Sequence, residues 1–554
     1  MSTHPAPSRG RPYRPLKASP LDAIVVQRRV GWLLRTCRLY GIEDGWSTIA
    51  AFATAFPGGS HGSAVSVSTI SRWETGVVRA TYAAVRRYEE LLDLPPGLLA
   101  AAADTIYRYA APAGVGPPTL DRGALHGTDS AAYHRLEDLI DRARSNDLVS
   151  GAEWDELTGR ICALPDLVIV PRTIWAELAE RVLSEMIIAD GVAWLQRFEA
   201  LNRLLGHPVG QEAAIAALAS SAADSTNEVF VETVCAFDAS RHPDAARHVL
   251  AQLTNPTNER ARYGALLACV RKVAYNHFTP DQRQGLVPMV RGFVDDPDLA
   301  AGVRTLAVHL LRRFASELPS DARVQLRQAL RDQPMLVQVF TAGRLAAAET
   351  ARIVIDRVVA AATAGLPREI PAYADDLVSV LVEEMLYDPV FDIRLYAAML
   401  LYATPYRAPM AAALASELAR AVGVRDTNLA ASILGGLRFL GGPAERPIVE
   451  RLVLAAGLPG EVTVAAAEQL GHVGGRSDAA FWHTALDQHG RRWRRHHDRA
   501  SAETLRALVY GLGMAHEDRL LARVRADGEA PPPVRASASW WVSHPRRIRE
   551  SAMA

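Results

Sequence analysis

A turn carrying proline, followed by a helix-length run rich in alanine and leucine, recurs through the latter part of the chain. His207-Pro208 precedes 211–220, Asn255-Pro256 precedes 260–270, and Asp296-Pro297 precedes 303–311. Asp388-Pro389 precedes 393–401, and Leu458-Pro459 precedes 462–470. The prolines stand 48, 41, 92 and 70 residues apart, roughly one or two units of a repeat of ~33–47 residues. Proline suits the first turn of a helix and cannot continue one from within. A unit of this kind buries its apolar stripe only against its neighbours, so the chain is constrained to a stack of helices. Composition points the same way: 49% of the 554 residues are hydrophobic, led by Ala and Leu, and β-branched runs are scarce. The expected fold class is all-α.

The sharpest copy, Asp388-Pro389-Val390-Phe391-Asp392-Ile393-Arg394-Leu395-Tyr396-Ala397-Ala398, resembles the second-helix motif of HEAT repeats, D-P-x-x-x-V-R-x-x-A. The resemblance implies an α-solenoid of HEAT-like helix pairs over 207–545. Amphipathic stretches at 132–143, 151–162, 173–188 and 192–205 form a helical connector, 130–206, ahead of it. A compact helical bundle is the alternative architecture.

The other informative stretch is Val65-Ser66-Val67-Ser68-Thr69-Ile70-Ser71-Arg72-Trp73-Glu74-Thr75-Gly76. A helix capped at Ser66 and stopped at Gly76 places Val67, Ile70, Ser71 and Glu74 on one side. Ser68, Thr69 and Arg72 fall on the other. That second face suits a helix laid in the major groove of DNA, where Arg reads guanine edges and Ser or Thr contacts bases or phosphates. The spacing V-S-x-x-x-I-S-x-W-E-x-G resembles the recognition helix of the XRE (Cro/phage-repressor-like) helix-turn-helix family. Flanking helices expected at 25–40, 47–56, 81–92 and 96–109 extend the resemblance over 24–109. One departure is Pro57-Gly58-Gly59-Ser60-His61-Gly62-Ser63-Ala64, where the family has a turn of about four residues. This insertion bears on the angle at which the third helix docks. An ordinary amphipathic helix with a serine cap is the rival reading.

The formal net charge is zero, so no global field draws the protein to nucleic acid. Within residues 1–110 there are 13 cations against 8 acids, a local excess of +5, the footprint of a DNA-reading module. Candidate DNA contacts are Ser66, Ser68, Thr69 and Arg72, with Thr48, Arg28, Arg29, Arg86 and Arg87 as phosphate contacts. Solvated charge or helix capping competes with each of those last five. Glu74 is expected to pair with an Arg of the first helix. The small core is expected from Trp32, Leu33, Leu39, Ile49, Phe52, Phe56, Val85 and Leu92. The resulting organisation is a disordered basic arm at 1–20, a DNA-binding domain at 21–111, a linker at 112–129, then connector and solenoid. Near the end, Arg491, Arg492, Trp493, Arg494 and Arg495 form a second candidate basic surface, with Trp493 available for stacking.

Catalytic chemistry finds no foothold. Only Lys17 and Lys272 occur, neither in a phosphate loop, and there is no G-x-S-x-G or H-E-x-x-H. Four cysteines lack C-x-x-C spacing, which speaks against a zinc ribbon or disulfide frame. No catalytic set, metal or cofactor is expected. No run reads as a membrane span, and the expected location is the cytoplasm, at the nucleoid. The resemblances together imply a sequence-specific transcriptional regulator that binds double-stranded DNA. Its body would form a homodimer or receive a protein or peptide signal. The alternatives are a helical-repeat interaction scaffold anchored to DNA by the small module, and a HEAT-like DNA repair enzyme whose concave face the 491–499 stretch would line.

Overall fold

Between the proline turns the chain does what alanine, leucine and arginine favour. The computed structural model describes residues 23–41, 46, 48–110, 119–123, 130–164, 166–366 and 376–554. It contains twenty-nine α-helices and, among the described residues, no strand. The first five are α1 (Ala23–Tyr40), α2 (Ile49–Ala55), α3 (Val67–Glu74), α4 (Tyr82–Leu91) and α5 (Leu98–Ala110). Thr48, Ser66 and Thr81 are extended caps of α2, α3 and α4. Each accepts from the backbone N–H three residues on, at 3.3, 3.1 and 3.2 Å, the geometry that makes hydroxyl residues good starters. The basic arm expected at 1–20 lies outside the described residues.

Further along, alternate helices lie against one another. Val231–Cys235 packs on Glu259–Ala274, that helix on Ala301–Arg313, and that on Pro334–Ala342. A second run leads from Phe391–Tyr402 to Thr427–Leu440, Gly460–Gln469, Arg499–Met514 and Pro532–Ser543. Two helices of these runs are buried nearly all round, over 264–273 and 395–401. They therefore carry little amphipathic signal, as a helix covered on every side should. In the HEAT-like copy the proline stands just ahead of its helix: Val390 is the cap, and its N–H donates to Asp388 Oδ1 at 2.8 Å. The chain then returns on itself. The last helix, Arg546–Met553, packs on Thr173–Met186 and Gly191–Gly206. Arg506 pairs with Glu228 at 2.8 Å, and His472 with Asp190 at 3.0 Å.

One continuous apolar core runs from Val26 to Ala552, and the N-terminal helices belong to it. Most of the linker expected at 112–129 lies outside the described residues, but 119–123 are docked. Leu120 is buried, Arg122 reaches Asp104 at 2.7 Å and Asp155 at 3.0 Å, and Tyr82 N–H donates to Asp121 O at 2.9 Å. Arg203 completes the knot with 2.7 Å contacts to both acids. Burial raises the Asp155 carboxyl, yet Arg203 and Arg122 bring it down to about 2. The segment 119–123, inside the linker expected at 112–129, is thus held in a buried ionic junction. No helix of the described residues is long and apolar enough to cross a membrane.

His309, in the enclosed helix Ala301–Arg313, is buried, and neither ring nitrogen has a partner among the described residues. Burial, with Arg313 and Arg312 nearby, pushes its imidazole down to about 3. Between pH ~6.5 and ~3 the unfolded chain then binds the proton and the folded chain does not, so stability falls as pH falls. His309→Leu is expected to be more stable at pH 7 and to widen its lead by roughly 1 kcal/mol per pH unit below ~6. Urea unfolding of both proteins at pH 7 and pH 5 measures this, and a constant gap would contradict it.

Candidate nucleic-acid interface

Helix α3 is held from behind. Ile70, Trp73 and Glu74 are buried, and Trp73 meets Phe56 at 5.7 Å between ring centroids. Glu74 receives Arg38 of α1 through two hydrogen bonds of 2.6 and 2.7 Å, and Tyr88 of α4 at 3.1 Å. An acid at this position is therefore the pin between first and third helices, as expected from the sequence. The helix ends in a left-handed stop: Gly76 has φ +67, its N–H donates to Trp73 O at 3.0 Å, and Val77 N–H donates to Arg72 O at 2.9 Å. This paired closure is the Schellman arrangement. The stop is also a crossing point. A Cβ on Gly76 would lie 2.7 Å from Arg28 Cα, and one on Gly31 would lie 2.7 Å from Gly76 N. The sequence analysis missed Gly31, although a lone glycine inside a helical stretch is itself a signal of close approach.

The opposite face is open. Ser66, Ser68 and Arg72 are exposed and Thr69 half-buried. The Ser66 hydroxyl lies 2.8 Å from that of Ser68 and 2.9 Å from that of Thr69, so three hydroxyls converge where the helix N-terminus is electropositive. The guanidinium of Arg72 makes no hydrogen bond or ion pair among the described residues. Val67, expected on the inner face, is 48% exposed. It is the first helical residue and projects beyond the reach of α1 and α4. Val77 and Val78, just past the stop, are exposed as well.

The insertion at 57–64 folds back onto the module. His61 packs edge-on against Phe56 and Trp73, at 5.1 and 6.0 Å. Glu90 accepts from the Ser60 N–H at 3.2 Å and from its hydroxyl. Arg87 donates to the carbonyls of Ala55, Phe56 and Pro57 at 2.9, 2.9 and 3.2 Å, closing the C-terminus of α2. Arg87, expected on a phosphate, is thus spent inside the protein. Arg86 pairs with Glu89, which in turn caps α5 through the Gly97 and Ala100 N–H groups at 2.7 and 2.9 Å. Arg29 departs furthest from expectation. It is buried, and both its terminal nitrogens reach Glu384, at 2.7 and 2.6 Å. Thr48 is exposed at the start of α2, and Arg28 is half-buried where α1 crosses Gly76.

The second basic stretch lies on the helix Ala479–His496. Arg491, Arg492, Arg494 and Arg495 are exposed, but Arg492 is 3.4 Å from Asp498 and Arg494 is 3.5 Å from Glu529. Trp493 is half-buried, its ring perpendicular to that of His497 at 4.8 Å. His489, on the same helix, is buried and bonded to Val453 O at 3.0 Å. No protein-family model matches the chain, and no curated protein matches it.

Arg29→Ala is expected to cost about 3 kcal/mol, because it strands the carboxylate of Glu384 in a mostly buried site. Arg87→Ala is expected to loosen the 57–64 loop, with a loss of about 1–2 kcal/mol. Chemical denaturation reads the first. Limited proteolysis, with cleavage appearing in 57–64, reads the second, and unchanged protection would exclude the anchoring role.

Proposed function

We propose that the protein is a sequence-specific DNA-binding transcriptional regulator. In this reading α2 and α3 form an XRE-like helix-turn-helix with α3 as recognition helix, and the helices from 207 onward form a HEAT-like α-solenoid. One observation carries it: on α3 an unpaired arginine and a group of serine and threonine hydroxyls face solvent, while the other face is clamped by Ile70, Trp73 and Glu74. The clamping also supports the reading, because a probe that reads base edges must be rigid. Ser66 and Ser68 would meet phosphate, Thr69 and Arg72 base edges, and Thr48 the backbone ahead of α2. Of the other cations, Arg29, Arg86 and Arg87 are held by groups of the protein and are not part of the proposed surface.

Modules of this kind bind two half-sites about 34 Å apart, so the proposal includes a homodimer, or a protein or peptide partner on the body, and a place on the nucleoid in the cytoplasm. The scaffold alternative draws on Val67, Val77 and Val78, an exposed apolar rim beside α3 that a DNA contact does not require. The repair-enzyme alternative has less to rest on, since acids neutralise two of the arginines it would need.

Arg72→Ala is expected to weaken binding to the preferred site by about 1–3 kcal/mol and to relax the preference at one base position. Selection of bound sequences from a random pool, followed by titration at fixed salt, measures both. Unchanged discrimination in that variant would remove α3 from the role of reader.

A further inference from the structure

The body encloses a cavity of about 180 Å3 at the place where its early and late helices meet. Aromatic rings dominate the wall: Trp194 and Phe198, stacked at 4.9 Å, with Tyr396, Tyr402, Phe439 and Tyr510. By the same measure, one water needs roughly 10–15 Å3, so the space admits an organic molecule. Several of its charged groups have partners. Asp190 meets His472 at 3.0 Å, Glu232 lies 3.8 Å from Arg438, and Asp238 holds Arg271 at 2.9 Å. Arg108, near the same end, is neutralised by Glu199 at 2.8 Å.

Arg407 has no ion pair among the described residues, and neither has Asp392, the buried one. It is only 6% exposed, lines the cavity, and its one hydrogen bond among the described residues comes from the Cys235 thiol at 3.5 Å. A carboxyl so placed is costly to ionise without a partner, and burial, with Asp238 beside it, raises it to about 7. Cys235, Asp238 and Asp392 lie close enough to bracket a metal ion, but burial pushes the Cys235 thiol well up, and a metal needs the thiolate; Arg271, which also acts on Asp392, is neutralised by Asp238. Arg407 stands over the Tyr402 ring at 4.2 Å. Tyr402 is ten helical residues from Asp392, a rise of about 15 Å along the helix.

We propose that this cavity binds a small organic amine with an apolar, aromatic-sized body, its ammonium group meeting Asp392 and its body lying among the rings. Aromatic faces attract cations, and do so more strongly when desolvated. The carboxylate supplies a charge-assisted hydrogen bond. The amine's proton stays on nitrogen, and no covalent step is involved.

The test uses the full chain and three matched probes: tryptamine, tryptophol (hydroxyl for ammonium) and indole-3-propionate (carboxylate for ammonium), compared by isothermal titration calorimetry. Saturable tryptamine binding is expected, with tryptophol about tenfold or more weaker and indole-3-propionate weaker again. Asp392→Asn, which keeps the shape and drops the charge, is expected to bring tryptamine to the level of tryptophol. Met399→Trp, which fills the cavity from the same helix face, is expected to abolish binding of both while thermal unfolding confirms the fold. No saturable tryptamine binding, equal affinity for the three probes, or tryptamine affinity unchanged in Asp392→Asn would each overturn the proposal. No DNA enters the measurement, so its outcome is separate from the reading of α3.

Discussion

The two-sided burial of α1 is the constraint on which the arrangement depends. One side grips α3 through Arg38 and Glu74, both buried, and through the Gly31–Gly76 crossing. The other side is fixed to helices more than 350 residues later. Arg29 reaches Glu384, the Cys37 thiol donates to Ala403 O at 3.2 Å, and Trp32 stacks on Tyr406 at 6.4 Å between centroids. The direction in which α3 presents Ser68, Thr69 and Arg72 is therefore set by the body. The ionic junction at 119–123 and the contacts of α1 together tie the N-terminal helices to the body.

Local chemistry was legible in the sequence where cause and effect sit within one turn of helix. Ser66 as cap, Gly76 as stop, and the inward Ile70 and Glu74 all follow from spacing and stereochemistry, and Trp32, Leu33, Phe52, Phe56, Val85 and Leu92 are buried as the periodicity required. Leu39 and Ile49 are half-buried, at the margins of their helices. The errors concern charge. The +5 excess of residues 1–110 treats that segment as free-standing, yet Arg29 is matched by Glu384 and Arg108 by Glu199. Both acids lie outside the window in which the charges were counted. Arg87 shows the same limit at shorter range: nothing in the local sequence says that three carbonyls at the end of α2 lie within its reach. Partners across long loops are invisible to periodicity, and arginine is the side chain whose planar fork exploits them best.

The buried charges follow a common logic. Asp104, Asp155, Arg122 and Arg203 join α5, the segment 119–123 and two helices of the body, and Glu185 with Arg181 and Arg197 joins Thr173–Met186 to Gly191–Gly206. Pairs of this sort add little net stability over apolar side chains of equal volume, but removing one partner strands the other at high cost. Helices rich in alanine and leucine can slide or repack with little penalty, since their surfaces are alike. Charges that must meet particular opposites penalise every other arrangement, and a stack of similar helices needs that penalty more than a core of varied shapes does.

The helix Phe391–Tyr402 brings these threads together. Asp392, Leu395, Tyr396, Met399 and Tyr402 line the aromatic cavity along one face of it. Its N-terminal end packs on the helix Asp376–Tyr387 that carries Glu384, the partner of Arg29. Its C-terminal end leads into Ala403 and Tyr406, the contacts of Cys37 and Trp32. The same rigid element is thus wall to the cavity and seat to α1. α1 in turn holds α3 by a buried ion pair and a backbone crossing without room for a methyl group, so one helix of the body carries both a wall of the cavity and the seat of the N-terminal helices.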